Sequence, residues 1–190
     1  MKSLFLKDSI TYDGQQLHSL FGYLEHGVPG NSVISWIGPC DIPFAHMVDG
    51  EDLREQAAIR GGLMLHFIVE IFDRDLFAGV AVQRLMAAIG KDLVETLAAA
   101  KLQGQRLRRS GDDIYWQDRK LSISIAAKSP ISTLVHFAMN VSNGGTPVKT
   151  CALMDDFGLQ GKDVAEKMMT ALVAEYESIL FATVQAKPIS

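Results

Sequence analysis

The chain has 190 residues, of which 48% are hydrophobic and 21% are charged, and its formal net charge is −4. This composition is typical of a soluble globular protein, and it excludes a largely disordered chain and a strongly basic nucleic-acid-binding protein. The two cysteines, Cys40 and Cys151, are too few for a disulfide framework, which favours a reducing compartment.

The first residues predict neither a signal peptide nor a membrane anchor. The apolar part of 1–7 is too short for a signal sequence, and no later window has the length of a membrane-spanning helix. We therefore expect one cytoplasmic domain over residues 1–190, without membrane or nucleic-acid partners. The basic run 106–109 is followed by Asp112 and Asp113, and we expect it to be a solvated loop.

Hydrophobic periodicity and turn residues predict strands and helices in alternation along the chain. The first half predicts a strand, a helix capped by Asp13, a strand, a short helix and a buried strand: Ser3–Ile10, Asp13–Glu25, Ser32–Ile37, Glu51–Ala58 and Leu63–Phe72. The second half predicts a long helix with a break near Gly90, a hairpin, a strand and a last helix: Leu76–Leu97, Asp113–Trp116 with Lys120–Ala127, Thr133–Val141 and Asp163–Phe181. Three late strands with short connections predict an α+β fold with a mainly antiparallel sheet flanked by helices.

Side-chain alternation along the two late strands predicts a ligand surface. Lys120, Ser122 and Ser124 share one face of their strand, and His136 and Asn140 share one face of the next. If the strands pair, these side chains line one polar surface on which a single lysine stands over small neighbours. The alternative interpretation is a moderately polar exterior.

Several of these segments resemble the lipoate ligase signature. The stretch 111–124 is similar to the family's strand, turn and lysine-bearing strand, and 136–141 is similar to its later strand ending in Asn-Val. Arg60, Gly61 and Gly62, with His66 four residues further on, resemble its glycine-rich turn, although this chain has two successive glycines where the family has three. The resemblance covers about residues 17–158 and points to an uncharacterised family of small proteins in the biotin/lipoate protein ligase superfamily.

The resemblance implies a sheet flanked by helices of the kind shared with class II aminoacyl-tRNA synthetases, and it implies roles for particular residues. Lys120 would contact the carboxyl or phosphate of an acyl donor and stabilise the negative charge that develops during acyl transfer. Gly61 and Gly62 would let backbone approach the ligand. ATP, or an acyl donor carrying a lipoyl, octanoyl or biotinyl group, would be the cofactor or co-substrate, and a small acyl-acceptor domain would be the partner.

Cys151 occupies the place of the nucleophilic cysteine in octanoyl transferases of this superfamily. A nearby lysine would lower the pKa of the thiol and favour an acyl thioester. The alternative is a small buried core residue.

We predict no metal site, because no cysteine or histidine has a partner at ligand spacing. Three functions stay open for this sequence. The first is an acyltransferase or ligase, and the second is a binding module for a carboxylate or nucleotide, which the missing third glycine favours. The third is a homo-oligomer in which the small-residue face packs against a second subunit.

Overall fold

The computed structural model describes residues 1–187 and residue 189. Its strands, β1 to β8 in chain order, are Lys2–Phe5, Ser32–Ile42, Ile59–Phe72, Arg108–Ser110, Asp113–Trp116, Arg119–Lys120, Ser122–Lys128 and Ser132–Asn140. Its α-helices, α1 to α5, are Phe21–Leu24, Gly50–Glu55, Leu76–Leu97, Ala99–Leu102 and Gly161–Ala182. A short 3₁₀ turn lies at Phe44–His46.

Five strands form a mixed sheet in the order β1-β2-β3-β8-β7. Strand β1 is parallel to β2, and the other pairs are antiparallel. The strands β4, β5 and β6 form a separate small antiparallel sheet. The predicted α+β class with a mainly antiparallel mixed sheet and flanking helices is confirmed.

The two long helices, α3 and α5, cover one face of the large sheet. Alternate residues of β3 and β8, including Phe67 and Phe137, point from that face into one apolar cluster with Met86 of α3 and Met168 of α5. All four side chains are at most 1% exposed. This face supplies most of the apolar burial that drives folding.

The opposite face carries the other alternate residues of the same strands. A second, smaller cluster forms there, in which Tyr12 and Phe21 from the N-terminal segment pack on Trp36 and Ile68 of the sheet. Neither α3 nor α5 contributes a residue to this second cluster. The chain between β1 and β2 lies over part of it, and the remainder borders a cavity.

The predicted helix from Asp13 to Glu25 is wrong over most of its length. Only Phe21–Leu24 is helical, and the Asp13 carboxylate accepts a hydrogen bond from Gln15 N in a local turn. Leu20 adopts a left-handed backbone with φ 65, and its N–H donates to the carboxylate of Glu70, 2.8 Å away in β3. A long-range hydrogen bond therefore replaces the helical one that periodicity predicted.

The long helix is continuous through Gly90, where a break was expected, and it begins after Asp75, whose carboxylate caps the N–H of Ala78. Arg108 and Arg109 of the basic run lie in the exposed strand β4, so the loop prediction is wrong for these two residues, whereas 106–107 lie in a loop. None of the helices among the described residues combines the length and the apolar character needed to cross a bilayer.

Candidate functional site

A cavity of about 520 Å³ opens on the sheet face opposite the long helices. Its volume lies within the range of about 300–1,000 Å³ that is usual for small-molecule sites. Much of its wall is apolar, with contributions from the N-terminal segment, the end of β2, the residues on either side of α2, β3, β7 and the loop after β8: Tyr12, Ile42, Met47, Val48, Ala57, Ala58, Ile59, Met64, Ile123, Ile125, Pro147 and Val148.

Charged side chains of both signs border the cavity. The cations are Arg60 and Lys120, and the carboxylates are Asp49, Glu51, Asp52, Asp112 and Asp113. Lys120 Nζ lies 2.9 Å from an Asp113 carboxylate oxygen, and these two side chains are 27% and 23% exposed. Arg60 forms a more exposed pair with Asp41, at 2.9 Å. The Lys120 ammonium is therefore held at the cavity wall by a neighbouring carboxylate.

Asp52 of α2 has a perturbed carboxyl group. Burial and the nearby carboxylate of Asp49 raise its pKa above the usual value, and the charge of Lys120 opposes that shift. The Asp49 side chain accepts hydrogen bonds from the N–H groups of Glu51 and Asp52 and so caps the helix that carries them.

A buried histidine pair lies beneath the cavity. His66 Nδ1 is 3.1 Å from His136 Nε2, and His66 Nε2 is 3.1 Å from the carbonyl oxygen of Gly38. Burial lowers the pKa of His66 from 6.5 to about 4, and burial with the neighbouring His66 holds the pKa of His136 well below its usual value. Both rings are therefore neutral at physiological pH.

Tyr12 covers one ring of this pair. Its ring stacks on His136 with centroids 3.6 Å apart. The N-terminal segment can come this close because residue 38 is glycine: a Cβ there would lie 2.0 Å from the carbonyl oxygen of Ile10. The indole N–H of Trp36 donates to the same carbonyl, at 2.8 Å.

The structure brings some of the sequence-predicted residues to the cavity and leaves the others away from it. Those at the cavity wall are Arg60, Lys120, Ser124, His136 and Asn140. Those that do not line it are Gly61, Gly62, His66, Ser122 and Cys151.

The predicted glycine turn is a strand. Gly61 and Gly62 lie within the continuous strand β3, and Gly61 is paired with Cys40 of β2. The N–H of Gly62 donates to Gly144 O at 2.9 Å, and a Cβ on Gly62 would lie 3.0 Å from that oxygen. The missing Cβ admits another loop of the chain, so a ligand-cradling role for these glycines is not supported.

The prediction that Ser122 and Ser124 share a face with His136 is also wrong. In the observed register Ser124 pairs with Phe137 and Ile125 pairs with His136, so the serines share the helix-side face. Ser124 borders the cavity from the edge strand β7, but its hydroxyl lies 2.9 Å from Gln83 Nε2 of α3. Ser122 Oγ accepts from the N–H of Ile114, and Ser124 Oγ donates to the Asp112 carboxylate at 2.6 Å. The two serines alternate as expected within β7, but the register sets them opposite Phe137 and Met139 instead of His136. Lys120 lies apart from them because the chain leaves the small sheet and enters the large one at residue 121.

Asn140 and Cys151 are joined through backbone groups. The Asn140 amide donates to Lys120 O at 3.1 Å and to Cys151 O at 3.3 Å, which fixes the segment that carries Lys120. The Cys151 thiol is buried in the helix-side core and donates to Arg119 O. Burial raises its pKa to about 11. The alternative of a core residue therefore holds, and the thioester mechanism is not supported.

Sequence reasoning missed Tyr12 and Asp52 as cavity residues. A capping Asp49 before the short helix was a usable signal, because α2 carries Asp52 directly after that cap. Tyr12 gave no signal, since it reaches the site only through the approach of its segment to Gly38.

Comparison with known proteins identifies the family of this chain and solved structures with a similar fold. The sequence model of the family described as "Domain of unknown function (DUF366)" matches residues 1–187. A protein of unknown function from Pyrococcus horikoshii is similar over 100% of both chains, with 32% identity and a TM-score of 0.91.

Two ligases share the fold at low sequence identity. The biotin protein ligase from Aquifex aeolicus, solved with biotin and ATP, is 13% identical, with 91% of this chain and 69% of the ligase covered and a TM-score of 0.57. A protein from T. acidophilum that is described as a putative lipoate protein ligase was solved with lipoic acid. It is 15% identical, with 93% of this chain and 86% of that protein covered and a TM-score of 0.53. The resemblance to the biotin/lipoate ligase superfamily is confirmed at the level of the fold.

Proposed function

The chain belongs to the DUF366 family, and we propose that it holds a small acyl acid in the cavity, with Lys120 against the carboxyl group, and serves transfer of that acyl group. The observation that carries the proposal is the Lys120 ammonium at the wall of a cavity with a largely apolar lining. An apolar acyl chain would fill the lining, and a carboxylate would replace the Asp113 contact of the lysine.

In the transfer step, the amine of an acceptor lysine attacks the acyl carbon of an activated donor such as a thioester. The new C–N bond forms, the C–S bond breaks, and the proton of the amine leaves with the departing thiol. Lys120 would stabilise the oxyanion that develops on the acyl oxygen during the attack. The acceptor would be a small protein domain that presents its lysine at the cavity mouth.

ATP does not match this cavity in the way that an acyl acid does. Five carboxylates and two cations border it, and the two glycines expected to approach a ligand are paired inside a strand. A triphosphate carries more negative charge than these two cations would balance. We therefore derive no step through ATP.

Mass spectrometry of an acceptor domain tests the proposal. The protein is incubated with acceptor domains of the kinds that carry a lipoyl, octanoyl or biotinyl group, each in its unmodified form. The corresponding thioester donors are added, with and without ATP. We expect a mass gain on the acceptor with at least one thioester, and its loss in Lys120→Ala. The absence of any gain with every donor, or a gain that Lys120→Ala leaves unchanged, would refute the transfer reaction.

A second candidate is a binding module on the same fold that holds a carboxylate without converting it. The observation that favours it is the burial of Cys151 away from the cavity, since none of the described residues that line the cavity carries a thiol. Saturable binding of an acyl acid, with no product from any donor, would establish this candidate in place of the transferase.

A further inference from the structure

The histidine pair under the cavity has a fixed hydrogen-bond direction. His66 Nε2 lies 3.1 Å from Gly38 O, and a carbonyl oxygen can only accept, so this nitrogen carries the hydrogen. In a neutral ring the other nitrogen is then an acceptor. His66 Nδ1 must accept from His136 Nε2, which lies 3.1 Å away.

This direction leaves Nδ1 of His136 as a lone-pair acceptor. Within residues 1–187 and 189, that nitrogen has no hydrogen-bonding partner, whereas the other three nitrogens of the pair are engaged. Both rings are at most 2% exposed, so the pair is enclosed by protein apart from the cavity. An acceptor in such a place requires a donor from outside the protein chain.

The unpartnered nitrogen belongs to a residue of the cavity wall. His136 borders the cavity, with Tyr12 covering one face of its ring. Among the described residues, the only side-chain nitrogen or oxygen atoms that are fully buried and have no hydrogen-bonding partner belong to His26 and Ser35. Nδ1 of His136 is not one of these atoms, which is consistent with access from the cavity that His136 borders.

We infer that the ligand is a bifunctional acid, with a carboxyl group for Lys120 and an N–H or O–H donor for Nδ1 of His136. The carboxyl half of this inference rests on the proposed function, whereas the donor half rests on the histidine pair alone. The ligand class is thereby an acid with an amide, ureido or hydroxyl group along its chain. A saturated fatty acid has no group along its chain that could donate to the histidine acceptor.

Nitrogen NMR on the labelled full chain tests the donor half without any acid. We expect His136 to have its hydrogen on Nε2 and a bare Nδ1, and we expect the Nδ1 resonance to move when a neutral cyclic urea, 2-imidazolidinone, is added. Finding the hydrogen on Nδ1, or finding that the urea leaves the Nδ1 resonance unchanged, would overturn the inference.

Calorimetry with matched acids tests the complete ligand. Octanoate is compared with a series of hydroxyoctanoates in which the hydroxyl group moves along the chain. One added hydrogen bond should make at least one hydroxy acid bind about three- to tenfold more tightly than octanoate. Equal affinity across the whole series would overturn the inference while leaving the proposed function intact.

The two experiments separate the two proposals. If none of the acids binds but the urea still moves the Nδ1 resonance, the carboxylate role of Lys120 fails and the donor site stands. A His136→Phe variant adds a second readout, because it keeps a ring for Tyr12 to stack on and removes the acceptor. In that variant, the advantage of the hydroxy acid over octanoate should disappear; its persistence would contradict the inference.

Discussion

The two faces of the five-stranded sheet are made by the same strands but bury different chemistry. On the helix side, β3 and β8 present Phe67, Val69, Phe137 and Met139 to an apolar core. On the cavity side, the same two strands present buried polar groups, including His66, Glu70, His136 and Asn140.

The polar face is stable because distant parts of the chain satisfy it. Glu70 accepts from Leu20 N and from the hydroxyl of Ser132, and Asn140 donates to two backbone carbonyls outside its strand. Such groups cost free energy when they are buried without partners. One face therefore supplies stability through packing, while the other supplies an ordered polar surface on which a ligand site can form.

Truncating a large side chain on the helix face should give the largest change in stability. Phe137 is fully buried, and Phe137→Ala should lower the free energy of unfolding by about 3–5 kcal/mol, since it removes apolar burial and leaves a void. Urea unfolding measures this loss. Phe77→Ala is the matched control, because Phe77 is 83% exposed, and it should change stability by less than about 0.5 kcal/mol. A similar loss in both variants would contradict the comparison.

Acid should weaken the cavity face through its histidines. The pKa of His66 is lowered to about 4 in the folded protein. Between about pH 6.5 and pH 4, this histidine therefore takes up a proton in the unfolded chain but stays neutral in the folded chain. Stability is therefore complete above pH 6.5 and falls as the pH drops towards 4. At pH 5 this histidine alone should cost about 2 kcal/mol relative to neutral pH.

Urea unfolding at pH 7 and pH 5 measures that cost. His18 is the control, because its side chain is 41% exposed, and His18→Gln should leave the decrease unchanged. A free energy of unfolding that stays level or rises between pH 7 and pH 5 would show that the histidines are not buried as neutral rings.

The smallest effect is expected at Cys151, which the helix-side core buries. Cys151→Ala should lower stability by about 1 kcal/mol, through the lost contacts of one sulfur atom, and should leave acyl-acid binding unchanged. Calorimetry on the folded variant measures the affinity. Loss of binding would indicate that the thiol contributes to the ligand site, which would contradict the separation of the helix-side core from the cavity side.

Local patterns predicted the elements whose partners are near in sequence or purely apolar. The long helix followed from its periodicity, and the alternation of 133–141 correctly separated Phe137 from His136. The first helix failed because Leu20 forms its hydrogen bond with Glu70, fifty residues away, and no local pattern contains that contact.

The site itself was predictable only in part. Lys120, His136 and Asn140 reach one cavity as expected, but Ser122 faces the other side of the sheet because the strand register pairs it with Met139. The pair Gly61-Gly62 indicated a turn, although a 14-residue strand runs through it and the Gly144 loop occupies the space beside Gly62. These outcomes depend on strand register and on loop approach, which single-strand alternation does not contain.

Isothermal calorimetry of Lys120→Met tests the central claim most directly. Wild-type protein, Lys120→Met and the control Lys128→Met, which alters an exposed lysine bonded to Arg74 O, are each titrated with biotin, lipoate, octanoate and a hydroxyoctanoate. We predict that the wild type and Lys128→Met bind at least one of these acids, and that Lys120→Met binds it about ten- to a hundredfold more weakly, through loss of a charge-assisted hydrogen bond. Equal affinity in Lys120→Met and wild type, or no binding of any acid by the wild type, would contradict the claim.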